Sequence, residues 1–267
     1  MTARLSVVQP TPVVESPPLL DVHDLSVTYG GVKAVADVSF KATEGSITGL
    51  IGPNGAGKST TLGVVAGAIK ATHGKVEFGG VDVSNLPSFR RARLGMVRTF
   101  QMHGEFARLT VLENLLVAAP GQEGDAVRNV FSIRRSWRRQ ERDFVVEARD
   151  LLDRFGLATH EDAYASELSG GQRRLMELAR ALMAKPRLLL LDEPMAGVNP
   201  VMRERLGEHL LDVASGGIGV VLVEHELQFV EQCCENVYVL AQGSVIGEGN
   251  MSELREHAAV LDAYLAG

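Results

Sequence analysis

Apolar and polar positions alternate along two early segments, Leu20–Tyr29 and Ala34–Lys41. A period of two predicts strands of a half-solvated antiparallel edge. The pattern then changes. Ser46–Ile51 is a compact apolar run of strand length, followed by a glycine-rich turn and a helix predicted from Lys58 to about Ile69. Val76–Phe78 and Met96–Phe100 read as further short strands. Leu188–Leu191 is continuously apolar, the pattern of a parallel strand buried on both faces. A helix is expected from Pro200 to about Val213, a strand at Ile218–Val223 and a helix from His225 to about Cys234. Val237–Leu240 and Val245–Glu248 are expected strands. This alternation predicts an α/β fold, a mostly parallel sheet with helices on both faces and an antiparallel β edge.

The middle of the chain breaks that rhythm. Thr110-x-x-Glu113 is a capping box that opens a helix through Ala119. A polar stretch, Pro120–Arg142, follows. Ala148, Leu151, Leu152 and Phe155 then recur at i, i+3, i+4 and i+7, one face of a helix. Residues 101–168 are therefore expected to form a helical subdomain inserted between core segments 19–100 and 169–249. After it, Leu175, Leu178, Ala179 and Leu182 line one face of a helix. The capping box Asn250-x-x-Glu253 opens a final helix over 250–267, expected to bury Leu254, Ala258, Leu261 and Leu265. Residues 1–18 carry four prolines and no long apolar core, so they read as a flexible leader rather than a signal peptide.

Composition narrows the class. The 267 residues are 45% hydrophobic and 22% charged, which excludes disorder as the main state. The longest strictly apolar stretch, Gly216–Val223, ends at Glu224 and is far short of the ~18 residues a membrane helix needs. If the protein works at a membrane, it is expected to do so from outside the lipid. A net charge of −6 argues against nucleic acid as a partner. The two cysteines, Cys233 and Cys234, are adjacent and read as small apolar residues at a helix–sheet contact. Glycine is abundant, 28 residues, and clusters at 49–57, 170–171, 216–219 and 243–249. Clusters at separate sites suggest loops with functions of their own.

Gly52-Pro53-Asn54-Gly55-Ala56-Gly57-Lys58-Ser59, followed by Thr60, fits the P-loop (Walker A) pattern between a strand and a helix. Main-chain N–H groups can close around phosphate oxygens where Cβ atoms would obstruct. The helix N-terminus adds positive partial charge. Lys58 supplies a full charge to the β- and γ-phosphates, and Ser59 offers a hydroxyl to Mg²⁺. Leu188–Leu191 delivers Asp192 and Glu193 to the carboxyl end of a parallel strand, a Walker B pattern. Asp192 can hold Mg²⁺, and Glu193 is placed to accept a proton from attacking water. Leu168-Ser169-Gly170-Gly171-Gln172 is a second glycine-rich loop at a helix start. Ser169 and Gln172 alone make a capping box, but capping does not call for two glycines.

These motifs, in this order over roughly residues 19–265, resemble the ATP-binding cassette of ABC transporters, a P-loop NTPase fold. The resemblance implies that Tyr29 stacks on adenine, although a strand-end tyrosine is the plain alternative. It implies that Gln101 contacts Mg²⁺ or water and senses a membrane subunit. It implies that His225 lies near the γ-phosphate, and that Ser169–Gln172 cover the nucleotide of a partner cassette rather than their own. Asn199 stands where most cassettes carry Asp, but Asn as N-cap and Pro200 at the first helical position keep the helix start. Arg98-Thr-Phe-Gln101, Ala196–Pro200, Val223-Glu-His-Glu226 and the Arg-rich insert resemble the longer ATPase type of branched-chain (hydrophobic) amino-acid importers. Such a subunit would use ATP and Mg²⁺ at the cytoplasmic face of the membrane. It would pair with a second ABC ATPase subunit and two permeases, with a solute-binding protein acting indirectly. An exporter subunit, or an importer for urea or an amide, is the alternative. Arg134, Arg135, Arg138, Arg139 and Arg142 recur at helical spacing. They are either a solvated face or a contact with acidic lipid or a partner.

Overall fold

The computed structural model describes residues 17–99, 106–121 and 136–265. Gln101, Arg134 and Arg135 lie outside the described residues, as do the leader through residue 16 and most of the polar stretch. Strands β1 (Leu20–Tyr29), β2 (Val32–Ala42), β4 (His73–Phe78) and β5 (Val81–Asp82) form an antiparallel sheet in the order β2-β1-β4-β5. A second sheet contains β3 (Ile47–Ile51), β6 (Met96–Arg98), β7 (Leu188–Asp192), β8 (Gly219–Val223), β9 (Asn236–Ala241) and β10 (Ser244–Gly249). Its order is β10-β9-β3-β8-β7-β6, parallel from β9 to β6, with β10 antiparallel to β9.

The two alternating segments at the start supply the expected antiparallel element beside the parallel sheet. They belong to a separate sheet that covers one of its faces. Alternation sends Leu20, Val22, Leu25 and Val27 to one side of β1, and that side needs an apolar partner. The continuous apolar strands supply it. Leu188 and Leu190 of β7, with Val221 and Val223 of β8, pack with β1 and β2. Leu189, Leu191, Val220 and Leu222 point the other way. There they meet α3 (Val111–Leu116), α4 (Ser136–Arg154), α5 (Gly170–Met183) and α6 (Pro200–Ser215). Both faces are covered, which explains why Leu188–Leu191 of β7 and the residues of β8 are apolar at consecutive rather than alternate positions.

Helix α1 (Lys58–Val65) follows β3, and its Leu62, Val64 and Val65 join the cluster beneath the antiparallel sheet. It stops four residues short of the expected Ile69, near Gly67 at φ 74°. Its last carbonyls are met by Arg91 of α2 (Ser88–Arg93), a residue only 2% exposed. One guanidinium nitrogen donates to Val64 O at 2.8 Å and Val65 O at 2.6 Å. Nε and the other nitrogen donate to Leu86 O and Ser84 O, both at 2.9 Å. A single planar fork thus ties the end of α1 to the loop before α2.

The expected caps are present at Thr110/Glu113, Ser169/Gln172 and Asn250/Glu253. Helix α4 begins inside the polar stretch, and its Arg138, Arg139 and Arg142 are exposed. After α7 (Leu227–Cys233) and the β9–β10 hairpin, the C-terminal segment departs from expectation. It forms two helices, α8 (Met251–Leu254) and α9 (Ala258–Leu265), separated by Arg255-Glu256-His257. The break resets the buried face. Leu254 is buried, but Ala258 is exposed and Leu261 is 47% exposed. Val260 is buried instead, close against Gly247 of β10. The side chain of Leu265 lies outside the described residues. Among the described residues, no helix is long and apolar enough to cross a membrane.

Cys233 packs in the helix-side core and Cys234 lies against Gly49 of β3, both as free thiols. Burial pushes the Cys233 thiol up to about 11, and burial raises Cys234 as well.

Two predictions follow from this packing. Arg91→Lys keeps the charge but loses the fork, leaving buried carbonyls unmet. It should lower stability by roughly 2–4 kcal/mol in chemical denaturation. At pH 8 a thiol with a pKa near 11 is about 0.1% thiolate. Native protein should therefore alkylate with iodoacetamide at least tenfold more slowly than protein unfolded in guanidinium. Equal rates would contradict the burial described.

Candidate functional site

Three neighbouring parallel strands end at one level, because their register pairs Leu50 of β3 with Val223 of β8, and Val223 with Asp192 of β7. The residues that follow each strand are delivered to one edge: Gly52–Ser59 after β3, Asp192–Glu193 at the end of β7, and Glu224–His225 after β8.

In the first loop Gly52, Gly55 and Gly57 have φ of 146°, 79° and 97°. A Cβ at Gly52 would sit 2.0 Å from Leu240 O, and one at Gly57 would sit 2.6 Å from Ala34 O. These two glycines are thus demanded by the chain's own backbone in β9 and β2. Gly55 has nothing within 4 Å and faces open space. Pro53 and Asn54 lie at the rim with Gly55, and Ala56 is buried against the fold. The loop is pinned by Ala56 N to Pro53 O at 3.2 Å and Gly243 N to Ala56 O at 3.2 Å. Thr60 is half-buried in the first turn of α1.

Lys58 is 5% exposed and folds back into this loop. Its Nζ donates to Gly52 O at 2.8 Å and Pro53 O at 2.9 Å. Burial lowers its pKa, and the nearby Glu193 and Asp192 carboxylates oppose that fall. Ser59 Oγ donates to Asp192 Oδ1 at 3.2 Å. The other carboxylate oxygen accepts from Arg98 of β6 at 2.8 Å, with the Asp192 side chain 2% exposed. A carboxylate this deep needs a cation, and Arg98 provides one.

Glu193 is one of few non-glycine residues with left-handed backbone, φ 49°. Its N–H donates to Val223 O at 2.9 Å, so the turn is tied to β8. Its Oε1 lies 2.5 Å from His225 Nε2. Glu224 points inward and is 3% exposed. Its Oε1 accepts from Met195 N at 2.9 Å and its Oε2 from His225 N at 3.1 Å. Burial raises the Glu224 pKa, and those two main-chain donors oppose the rise. Beyond Met195, Asn199 caps α6 by accepting from Met202 N at 3.0 Å, with Pro200 at the first helical position as expected.

The structure therefore brings Lys58, Ser59, Asp192, Glu193 and His225 together. Tyr29 ends β1 and is 52% exposed. The second glycine loop makes its polar contacts elsewhere. Ser169 N donates to Gln172 Oε1 at 2.9 Å, Gln172 N donates to Ser169 Oγ at 3.3 Å, and Gln172 Nε2 lies 3.2 Å from His160 Nε2. Gly171 packs on Met202, whereas Gly170 has nothing within 4 Å.

Arg98 and Glu224 are the residues that sequence reasoning did not assign. Each had a signal. Arg98 is a cation in a short strand beside the Asp192 strand. Glu224 is an acid one step beyond an apolar run, where a chain that only needed to leave the sheet could carry any small polar residue.

Comparison with known proteins agrees with this geometry. Residues 35–196 match the family model described as ABC transporter. A probable branched-chain amino acid transport ATP-binding protein LivG of Archaeoglobus fulgidus is 40% identical over 247 residues, covering 92% of this chain and 95% of that protein. The high-affinity branched-chain amino acid transport ATP-binding protein LivG of Escherichia coli K12 is 36% identical over 251 residues, covering 94% and 98%. Among solved structures, the ADP conformation of an ATP-binding cassette of an ABC transporter superposes with a TM-score of 0.82 at 34% identity, covering 94% of this chain and 100% of that one. With the site residues gathered at the ends of β3, β7 and β8 and the likeness spanning nearly the whole chain, this protein belongs to the ABC transporter family as one of its ATP-binding, ATP-hydrolysing subunits.

Proposed function

We propose that this chain drives uptake of branched-chain or other hydrophobic amino acids, hydrolysing ATP on behalf of separate permease subunits. The observation that carries the catalytic part is the meeting of Lys58, Ser59, Asp192, Glu193 and His225 at one sheet edge. The names of its relatives support the solute class.

The main-chain N–H groups of Gly52–Thr60 would hold the phosphates of ATP, with Lys58 exchanging its carbonyl partners for β- and γ-phosphate oxygens. Tyr29, exposed at the end of β1, would stack on adenine. Ser59 and Asp192 present hard oxygen donors 3.2 Å apart, a set that fits Mg²⁺, and Gln101 is proposed as a third ligand. Bound there, Mg²⁺ would neutralise phosphate charge. Glu193 is the general base that takes a proton from the attacking water. His225 holds Glu193 in place and stabilises charge developing on the γ-phosphate. Arg98 holds the second oxygen of Asp192 at 2.8 Å and so fixes the orientation of its carboxylate.

Ser169, Gly170, Gly171 and Gln172 would bind the nucleotide of a second cassette, either a related ATPase subunit or another copy. We divide the chain accordingly into a leader (1–18), a nucleotide-binding core (19–100 and 169–249), a helical subdomain (101–168) and a C-terminal segment (250–267). The assembly would sit peripherally at the cytoplasmic face, on two permeases served by a solute-binding protein.

Glu193→Gln removes the base and keeps the shape. It should bind ATP within about threefold of the parent while turnover falls ~10²–10⁴-fold. Hydrolysis at the parental rate would overturn the role of Glu193. Gly170→Asp places a negative charge where the second cassette's nucleotide would lie. It should leave ATP binding by the single chain unchanged but abolish ATP-dependent dimerisation on size exclusion. A dimer that still forms would remove Gly170 from that contact. In cells carrying the partner permeases, uptake of labelled leucine that survives Glu193→Gln would overturn the transport reading.

A further inference from the structure

The loop after β7 and the loop after β8 are joined by one buried carboxylate. Glu224 sits between them with both oxygens committed, Oε1 to Met195 N and Oε2 to His225 N. Met195 is two residues past Glu193, so this bond closes the downstream side of the turn that carries Glu193. The upstream side is closed by Glu193 N to Val223 O at 2.9 Å. Within the turn, Ala196 N donates to Glu193 O at 3.1 Å. A left-handed glutamate is strained and persists only when its surroundings over-determine it. Here the surroundings are those ties.

The same carboxylate also orients the chain at His225. A second, outer tether repeats the pattern. Glu226 pairs with Arg203, whose Nε donates to Val198 O at 2.9 Å. His225 is therefore flanked on both sides by glutamates that reach back to the segment 195–203. The inner pair is dry, with Glu224 3% and Met195 2% exposed, while the outer pair is half-exposed and screened by water. A carboxylate is the suitable group inside, because two converging N–H donors call for two acceptors. An amide in its place would turn a donor toward one of them.

We propose that Glu224 is a positioning residue for ATP hydrolysis, a clamp that fixes Glu193 and His225 relative to each other through the main chain. This rests on the reading that Glu193 and His225 serve the reaction. Glu224 touches neither the phosphate loop nor Ser59, so its effect should fall on turnover and not on nucleotide binding.

The test uses the full chain carrying Glu224→Gln and Glu224→Ala, with Glu226→Gln as the outer-tether control. Amide hydrogen exchange read by NMR should rise at least tenfold at both Met195 and His225 in Glu224→Ala, and at no fewer than one of them in Glu224→Gln, with amides of Gly52–Thr60 unchanged. In the same proteins kcat should fall at least tenfold, while the affinity for a fluorescent, non-hydrolysable ATP analogue stays within twofold. Glu226→Gln should change kcat by less than threefold. The clamp is overturned if exchange in Glu224→Ala rises at only one of the two amides or at neither, if it rises at neither in Glu224→Gln, or if kcat falls less than tenfold. Loss of analogue binding would likewise overturn it, by showing a general collapse of the site. If Glu224→Ala fails to fold, the isosteric Glu224→Gln decides by a rise at one or both of these amides together with the fall in kcat. If Glu193→Gln hydrolyses ATP normally, the catalytic reading falls, and the paired exchange at Met195 and His225 still decides whether the clamp exists.

Discussion

Parallel strands cannot be joined by tight turns, and a sheet buried on both faces cannot carry polar side chains along its length. Every charged group this site needs must therefore arrive where a strand stops. The ladder from β3 through β8 to β7 enforces that by its register, which sets Leu50, Val223 and Asp192 at one level. The hydrogen bonds of three short strands thus fix where a phosphate loop, a carboxylate pair and a histidine stand relative to one another. Shifting β8 by a single residue would reverse its two faces, moving Leu222 and Val223 into each other's cores and His225 away from Glu193.

Gathering the groups at one edge creates an electrostatic problem that the structure answers locally. Asp192, Glu193 and Glu224 crowd the same place, two of them almost without solvent. Asp192 is compensated by Arg98. Glu193 leans on His225 at the surface. Among the described residues Glu224 has no salt-bridge partner; burial raises its pKa, and the two main-chain N–H donors oppose the rise. Lys58, equally buried, is held by carbonyl oxygens. Its pKa falls for the same reason, and the two carboxylates opposite limit the fall. Each charge has a different partner, so each responds to a ligand differently. Polar partners as weak as two carbonyls are readily exchanged for phosphate, whereas the carboxylate clamp at Glu224 has no ligand to compete with it.

Much of this was legible in the residues. The unbroken leucines of 188–191 announced a strand buried on both sides, and the Gly-Lys-Ser turn announced an anion cradle. Capping boxes at Thr110, Ser169 and Asn250 marked helix starts that the structure contains. What periodicity did not carry was relation between elements. Alternation in β1 and β2 told that one face was covered, not that the cover was a second sheet. The i, i+4 spacing of Leu254 and Ala258 predicts one helix through Arg255-Glu256-His257; the break instead turns Val260, not Leu261, toward β10. Arg91 was invisible for the same reason. One of three arginines in a short polar helix carries no sign in the sequence that it reaches four carbonyls.

The two glycine loops differ in a way that only the folded chain reveals. Gly52 and Gly57 are glycines because β9 and β2 leave no room for a Cβ, and Gly171 lies tight on Met202. Any of these would be kept for folding alone. Gly170 is different. It is helical, it lacks a positive φ, and nothing lies within 4 Å of the Cβ it does without. Alanine there would favour the helix, by up to about 1 kcal/mol in a helix interior and less in a first turn. Ser169 and Gln172 already complete the cap without it. A glycine that its own chain neither needs for space nor for backbone conformation supports a reason lying outside the single chain, in something that must come close to the start of α5. A phosphate presented by a second cassette is a group of that size and charge, and the uncovered N–H groups at that helix start are what it would meet.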